Sequence, residues 1–79
     1  MDTLSGSCTY KEGTCNGAQL TVLHHDKIAQ SLTLTNSHEF KITRLKFNQE
    51  YLLKFHWAKH NLEEIRKVKA GEFIQIKLD

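Results

Sequence analysis

A regular alternation of apolar and polar residues is the feature that most limits how this chain can fold. Leu20 and Val22 flank the polar residue Thr21. Near the C-terminus, Ile74, Ile76 and Leu78 alternate with Gln75 and Lys77. The same period of two occurs at residues 31–35 and 40–43. A period of two that includes β-branched residues is typical of half-buried strands. The pattern therefore predicts an all-β fold.

Short polar breaks separate these segments and predict the turns. His25-Asp26-Lys27 and Asn36-Ser37-His38 each have the length and polarity of a hairpin connection. Gly71 precedes the last alternating segment, where a glycine allows a turn with positive φ. The sequence thus predicts short strands joined by tight connections.

Residues 49–70 fit two secondary structures. As a helix, the segment places apolar residues three and four positions apart and ends before Gly71, with Arg66, Lys67 and Lys69 near its C-terminus. As two strands, it alternates from Glu50 to Trp57 and turns at His60-Asn61. In that case four side chains point inward: Tyr51, Leu53, Phe55 and Trp57. Periodicity alone leaves both interpretations open.

The two cysteines, Cys8 and Cys15, also allow two interpretations. An even number of cysteines in a short domain fits a disulfide formed in an oxidising compartment. Two free thiols in a reducing cytosol are the alternative. The disulfide is favoured, and it makes an extracytoplasmic location the favoured one.

Length and charge limit the classes of function. The chain has 79 residues, which predicts one domain over residues 1–79. Its formal net charge of +2 is too small to predict nucleic-acid binding. It contains no run of about 18 apolar residues of the kind that crosses a membrane as a helix.

An ordered series of motifs resembles the transthyretin-like, or carboxypeptidase regulatory-like, β-sandwich domains. In those domains a Gly-Ala-x-Val-x-Val strand is followed by a threonine-rich strand, Phe-x-Ile-x-x-Leu, Tyr-x-Leu-x-Phe and Val-x-Ala-Gly-Glu. The corresponding segments of this chain are residues 17–22, 31–35, 40–45, 51–55 and 68–72. The resemblance extends over most of the chain. Collagen-adhesin B repeats and PEGA modules share much of the same pattern.

The resemblance implies a seven-stranded antiparallel Greek-key sandwich. It favours the two-strand interpretation of residues 49–70 over an α+β fold with one helix. The predicted core is Leu20, Val22, Leu32, Leu34, Phe40, Ile42, Leu45, Tyr51, Leu53, Phe55, Val68, Ile74, Ile76 and Leu78.

No complete set of catalytic residues is evident, so a non-enzymatic domain without a cofactor is predicted. The chain has no Gly-x-Ser-x-Gly sequence and no phosphate-binding glycine loop. His56 and His60 are four residues apart, but a zinc site would need further ligands. All five histidines are predicted to lie on the surface, at strand ends and turns: His24, His25, His38, His56 and His60.

Two hypotheses of function remain. The first is an extracytoplasmic structural or protein-binding module of a secreted or cell-surface system, with Trp57 and Phe73 as possible partner contacts. Its binding surface would be a loop cluster or an exposed edge strand, and nothing in the sequence requires a second copy. The second is a small α+β protein that binds a protein or nucleic acid through a basic helix.

Overall fold

The computed structural model describes residues 2–11, 13–35 and 38–78. This part of the chain forms eight strands and one short 3₁₀ helix, Ala58–His60. The strands are β1 Asp2–Tyr10, β2 Gly13–Thr14, β3 Gln19–His24, β4 Lys27–Thr33, β5 Glu39–Leu45, β6 Glu50–Trp57, β7 Leu62–Lys69 and β8 Phe73–Leu78.

The first sheet, sheet I, is built around β1. This strand pairs antiparallel with β5 on one side and parallel with β8 on the other, and β2 continues the sheet as a short hairpin partner of β1. The parallel pair differs from the wholly antiparallel arrangement that was predicted. Because β1 and β8 lie at opposite ends of the chain, local alternation carries no information about their relative direction.

The second sheet, sheet II, has the antiparallel order β4-β3-β6-β7. His25 and Asp26 connect β3 to β4, with φ of 52° and 61°. Positive φ at both positions fits a two-residue hairpin turn, whose twist matches that of the flanking strands. The predicted turn at His25-Asp26-Lys27 is therefore confirmed. The predicted turn at Asn36-Ser37-His38 falls largely outside the described residues.

The helix over residues 49–70 was the wrong alternative. This segment forms β6, the 3₁₀ turn and β7, and Asn61 in the left-handed region (φ 53°) ends the turn. Ala58 and Ile65, which would lie on the apolar face of a helix, are both exposed. Strand β6 buries Tyr51, Leu53, Phe55 and Trp57 between the sheets. In a helix the same four side chains would point in different directions around the helix axis.

The two sheets enclose a single apolar core. All the predicted core residues are buried except Leu32 and Leu78, which are partly buried and pack against the others. The core also contains Trp57, which the two-strand interpretation points inward, and five residues that the pattern did not predict: Leu4, Cys8, Cys15, Ala18 and Ala70. The all-β class with two sheets is confirmed.

Candidate functional site

The cysteine pair has the geometry of a disulfide. The Sγ atoms of Cys8 and Cys15 are 2.14 Å apart, and both residues are buried. The β1–β2 hairpin brings them together, because Thr9 pairs with Thr14 and Tyr10 pairs with Gly13. The favoured interpretation of the two cysteines thus agrees with the structure.

Trp57, one of the two predicted partner contacts, lies in the core with an exposed fraction of 5%. Its ring contacts Tyr10 edge-on, with a centroid distance of 5.2 Å, and His60, with a centroid distance of 4.3 Å. Tyr10 and His60 are only partly buried and cover the indole at the end of the sandwich where β6 runs into the 3₁₀ turn. Trp57 therefore offers little surface to a partner.

Phe73, the other predicted contact, is 63% exposed. It begins β8, where its backbone lies beside Ser5 of β1. The turn before it contains Gly71, whose φ of 94° agrees with the predicted turn at that position. Phe73 is thus an accessible aromatic side chain next to a tight turn.

Several chain segments meet near Phe73 at one end of the sandwich, which we call the turn end. The backbone N–H of Ala70 donates to the carbonyl of Gln49 at 3.0 Å, and that of Gly71 donates to Thr3 at 3.0 Å. These bonds join the β7–β8 turn to the β5–β6 turn and to the start of β1. The β3–β4 turn lies at the same end.

Among the described residues, four of the five large exposed apolar side chains lie at or close to the turns of this end: Ile28, Phe47, Leu52 and Phe73. Phe47 is 79% exposed in the β5–β6 turn, and Ile28 is 69% exposed after the β3–β4 turn. Ile28 and Leu52 lie in one row across sheet II, because both pair with Leu23. Phe73 lies on the outer face of sheet I, because its neighbour Ile74 is buried, so these side chains are spread over both faces of the turn end. Large exposed apolar side chains often mark contact surfaces.

Sequence reasoning identified Phe73 and missed Phe47 and Ile28. The available signal was their position, since each is a large apolar residue beside a polar turn, where burial is least expected. The strand assignment used only the alternation of apolar and polar residues, so it gave Phe47 and Ile28 no role.

A groove of about 300 Å³ opens at the turn end. The β3–β4 turn and the start of β6 form most of its wall, and the lining residues are Leu23, His24, His25, Asp26, Gln49, Glu50, Tyr51, Leu52 and Lys67. The hydroxyl of Tyr51 accepts a hydrogen bond from the backbone N–H of Lys46 at 2.9 Å, which holds the ring in place. The groove thus combines apolar, aromatic and charged surface.

His24 has the most perturbed environment of the groove residues. Its ring lies 4.1 Å from that of His25 and 5.1 Å from that of Tyr51. Its Nε2 atom is buried and has no hydrogen-bond partner within the described part of the chain. Partial burial, followed by repulsion from His25 and Lys46, lowers the pKa of His24 below its usual value of 6.5. The neutral imidazole is therefore favoured in the folded protein.

The basic residues near the end of β7 do not form a continuous basic surface. Arg66 bonds to Glu64, with an Nε–Oε1 distance of 2.7 Å, and Lys67 lies 3.6 Å from a carboxylate oxygen of Glu50. The basic helix required by the alternative hypothesis is absent, because these residues lie on a strand.

The residue types that commonly bind metal ions do not come together as a set of ligands in the described part of the chain. No group of three or more His, Cys, Asp or Glu side chains in that part of the chain is arranged to hold a metal ion. The same residues include no helix long and apolar enough to cross a membrane.

No protein-family model matches the chain, and no curated protein sequence matches it.

Proposed function

We propose that this domain is a non-catalytic protein-binding module of an extracytoplasmic system, and that it contacts its partner through the turn end. The proposal also assigns it to the transthyretin-like and carboxypeptidase regulatory-like sandwiches with Greek-key connections. The ordered motif series and the two packed sheets support that assignment.

The observation that carries the binding role is the exposed apolar surface at the turn end. Phe47 and Phe73 contribute aromatic side chains, and Ile28 and Leu52 are exposed on the outer face of sheet II at the same end. Aromatic side chains are enriched at protein interfaces because they bury a large area at small cost in conformational entropy. The groove beside them, with His24 and Lys67 in its lining, provides polar groups that can orient a partner.

The cysteine pair supports the proposed location. Disulfides form and persist in oxidising compartments and are rare in the cytosol. Trapping thiols in intact cells with a maleimide tests this point. A domain that stays unlabelled until it is reduced supports the location, and a domain labelled at both cysteines before reduction contradicts it.

Photo-cross-linking in the producing cells tests the contact surface. A photoreactive amino acid replaces Phe47 in one variant and Phe73 in another, and Thr33 in a third as the control. Thr33 is exposed and pairs with Gln19 at the other end of the β3–β4 hairpin. All three side chains are exposed, so each variant is expected to fold.

The proposal predicts one shared cross-linked protein for positions 47 and 73 that is absent for position 33. Cross-links of equal yield at all three positions, or none at 47 and 73, would contradict the proposed surface.

A further inference from the structure

Within the described residues, five strands lie at sheet edges: β2, β5 and β8 in sheet I, and β4 and β7 in sheet II. Of these, β7 and β8 pair along their whole length without a register shift, and β7 is the longer of the two. In β4 the register against β3 shifts between Val22 and Leu23, and in β5 the register against β1 shifts near Leu45, next to Arg44 with φ of 65°. By contrast, β7 pairs with β6 over all its residues, from Leu62 to Lys69, without a shift.

Side chains also occupy backbone carbonyls at the edges of β5 and β8. The amide of Gln30 in β4 donates to the carbonyl of Thr43 in β5, which ties those two edges together. On the opposite side, Nη1 of Arg66, a side chain of β7, donates to the carbonyl of Gln75 in β8 at 2.7 Å, so this bond occupies a backbone group of β8 and links the β7 and β8 edges. Bulges and covering groups of this kind discourage pairing with another chain.

One hydrogen bond reveals which backbone groups of β7 point outward. The backbone N–H of Lys69 donates to Oε1 of Glu72 at 2.6 Å, so it faces away from β6. Backbone groups alternate in direction along an antiparallel strand. The N–H and C=O groups of Glu63, Ile65 and Lys67 therefore face outward too and lack a neighbouring strand in the described fold.

Charge then selects one register for pairing between two copies of β7. Outward groups must meet outward groups, so Ile65 can face Ile65, Glu63 or Lys67 of the second copy. With Ile65 facing Ile65, each Glu63 faces Lys67 and each Glu64 faces Arg66. A shift one way places Glu64 opposite Glu64, and a shift the other way places Arg66 opposite Arg66. Like charges directly opposite each other are destabilising.

We propose that two copies of this chain form a dimer by antiparallel pairing of β7 about a twofold axis at Ile65. The pairing joins the two copies of sheet II into one continuous sheet. Two backbone hydrogen bonds form at the central Ile65 pair and at each of the two flanking Glu63–Lys67 pairs. Ile65 is 57% exposed in the single chain, and its side chain packs against its symmetry mate in the dimer.

The ion pairs that Glu63 makes within one chain are weak enough to be exchanged for ion pairs with the second copy. Glu63 lies 3.9 Å from Nζ of Lys54 and 3.4 Å from Nδ1 of His56, and these side chains are more than 40% exposed. Exposed ion pairs contribute little to stability, so exchanging them for partner contacts costs little. Phe47 and Phe73 do not lie on β7, whereas Lys67 belongs to both the groove and the dimer contact. The dimer can therefore fail while the contacts proposed for Phe47 and Phe73 stand.

Charge exchange gives the sharpest test. Glu63→Lys places a lysine opposite Lys67, and Lys67→Glu places a glutamate opposite Glu63. The proposal predicts that each variant alone is monomeric and that an equimolar mixture of the two forms a heterodimer. The double variant Glu63→Lys/Lys67→Glu is predicted to recover the homodimer. Both positions are exposed, and circular dichroism checks that each variant folds.

Sedimentation equilibrium measures these states from micromolar to millimolar concentration, and native mass spectrometry identifies the heterodimer. A wild-type chain that stays monomeric over the whole range would overturn the proposal. Dimeric single variants, or a mixture without heterodimer, would overturn the β7 register.

Cross-linking checks the register directly. At Ile65 the two Cα atoms are expected about 5.5 Å apart, within the range of a disulfide. Ile65→Cys is therefore expected to give a covalent dimer on mild oxidation, with position 65 linked to position 65. Glu63→Cys, which faces Lys67 of the other copy, is the control and is expected to link poorly. A stronger cross-link at 63 than at 65 would contradict the register.

Discussion

Reducing the Cys8–Cys15 bond should lower the stability of the domain by a predictable amount. The two cysteines are separated by 7 positions in sequence. For a closed loop of this size, the chain-entropy model gives about 2.5 kcal/mol at 25 °C. A small domain buries only about 60% of the surface of its unfolded chain, so this contribution is a large part of its total stability.

The expected change can be measured as a shift in the thermal midpoint. In a domain of 60–100 residues, 1 kcal/mol corresponds to about 4–8 °C, so reduction should lower Tm by about 10–20 °C. Differential scanning calorimetry with and without reductant measures the shift, and mass spectrometry confirms that the bond is broken. The variant Cys8→Ala/Cys15→Ala is the control and should not respond to reductant.

A shift of less than about 3 °C on complete reduction would refute the reasoning, because it would correspond to under 1 kcal/mol for a domain of this size. An equal shift in the alanine variant would show that the reductant acts elsewhere.

Three further predictions concern the core, the surface and pH. Gly6→Ala should cost about 1–3 kcal/mol in urea unfolding, because its Cβ would meet the ring of Phe40 and lie 2.5 Å from the carbonyl of Ile74; Gly13→Ala, with its nearest contact at 3.7 Å, is the control. Phe47→Ser should change stability by less than about 0.5 kcal/mol, whereas Phe55→Ala in the core should cost about 3–5 kcal/mol. Because the folded state lowers the pKa of His24, the unfolded chain binds more protons just below pH 6.5. Stability from this group should fall as the pH drops through that range, and thermal unfolding of His24→Asn should show a smaller loss than the wild type; an equal loss in both would contradict the assigned cause.

The alternating pattern predicted most of the strands because alternation depends only on neighbouring residues. Leu20 and Val22 enter the core as expected, and so do Ile74 and Ile76. The two-residue turn at His25-Asp26 was also predictable, since short polar residues tolerate positive φ better than β-branched ones.

Residues 49–70 could not be assigned from periodicity because their apolar residues satisfy both periods. Phe55 lies on the apolar face in either interpretation, and Leu62 and Ile65 fit the apolar face of a helix as well as the alternation of a strand. The choice depends on burial against the other sheet, which is a property of the whole fold. In the strands, Trp57 is buried while Ile65 remains exposed on the outer face of sheet II.

The candidate site was only partly predictable for the same reason. Phe73 was identified as an exposed aromatic residue, whereas Phe47 and Ile28 were not. Their importance arises from the meeting of the β5–β6, β7–β8 and β3–β4 turns, which are distant in sequence. Parallel pairing of β1 with β8, which positions Phe73 beside Ser5, is likewise a long-range feature.

NMR mapping of the bound surface shows whether the partner contacts the turn end. The protein captured by cross-linking is purified and titrated into the isotopically labelled domain, and amide shift changes are followed residue by residue. Binding at the turn end predicts the largest changes at residues 24–28, 46–52 and 71–73, with little change at residues 13–17 and 58–61. The largest changes at the disulfide hairpin and the 3₁₀ turn would contradict it.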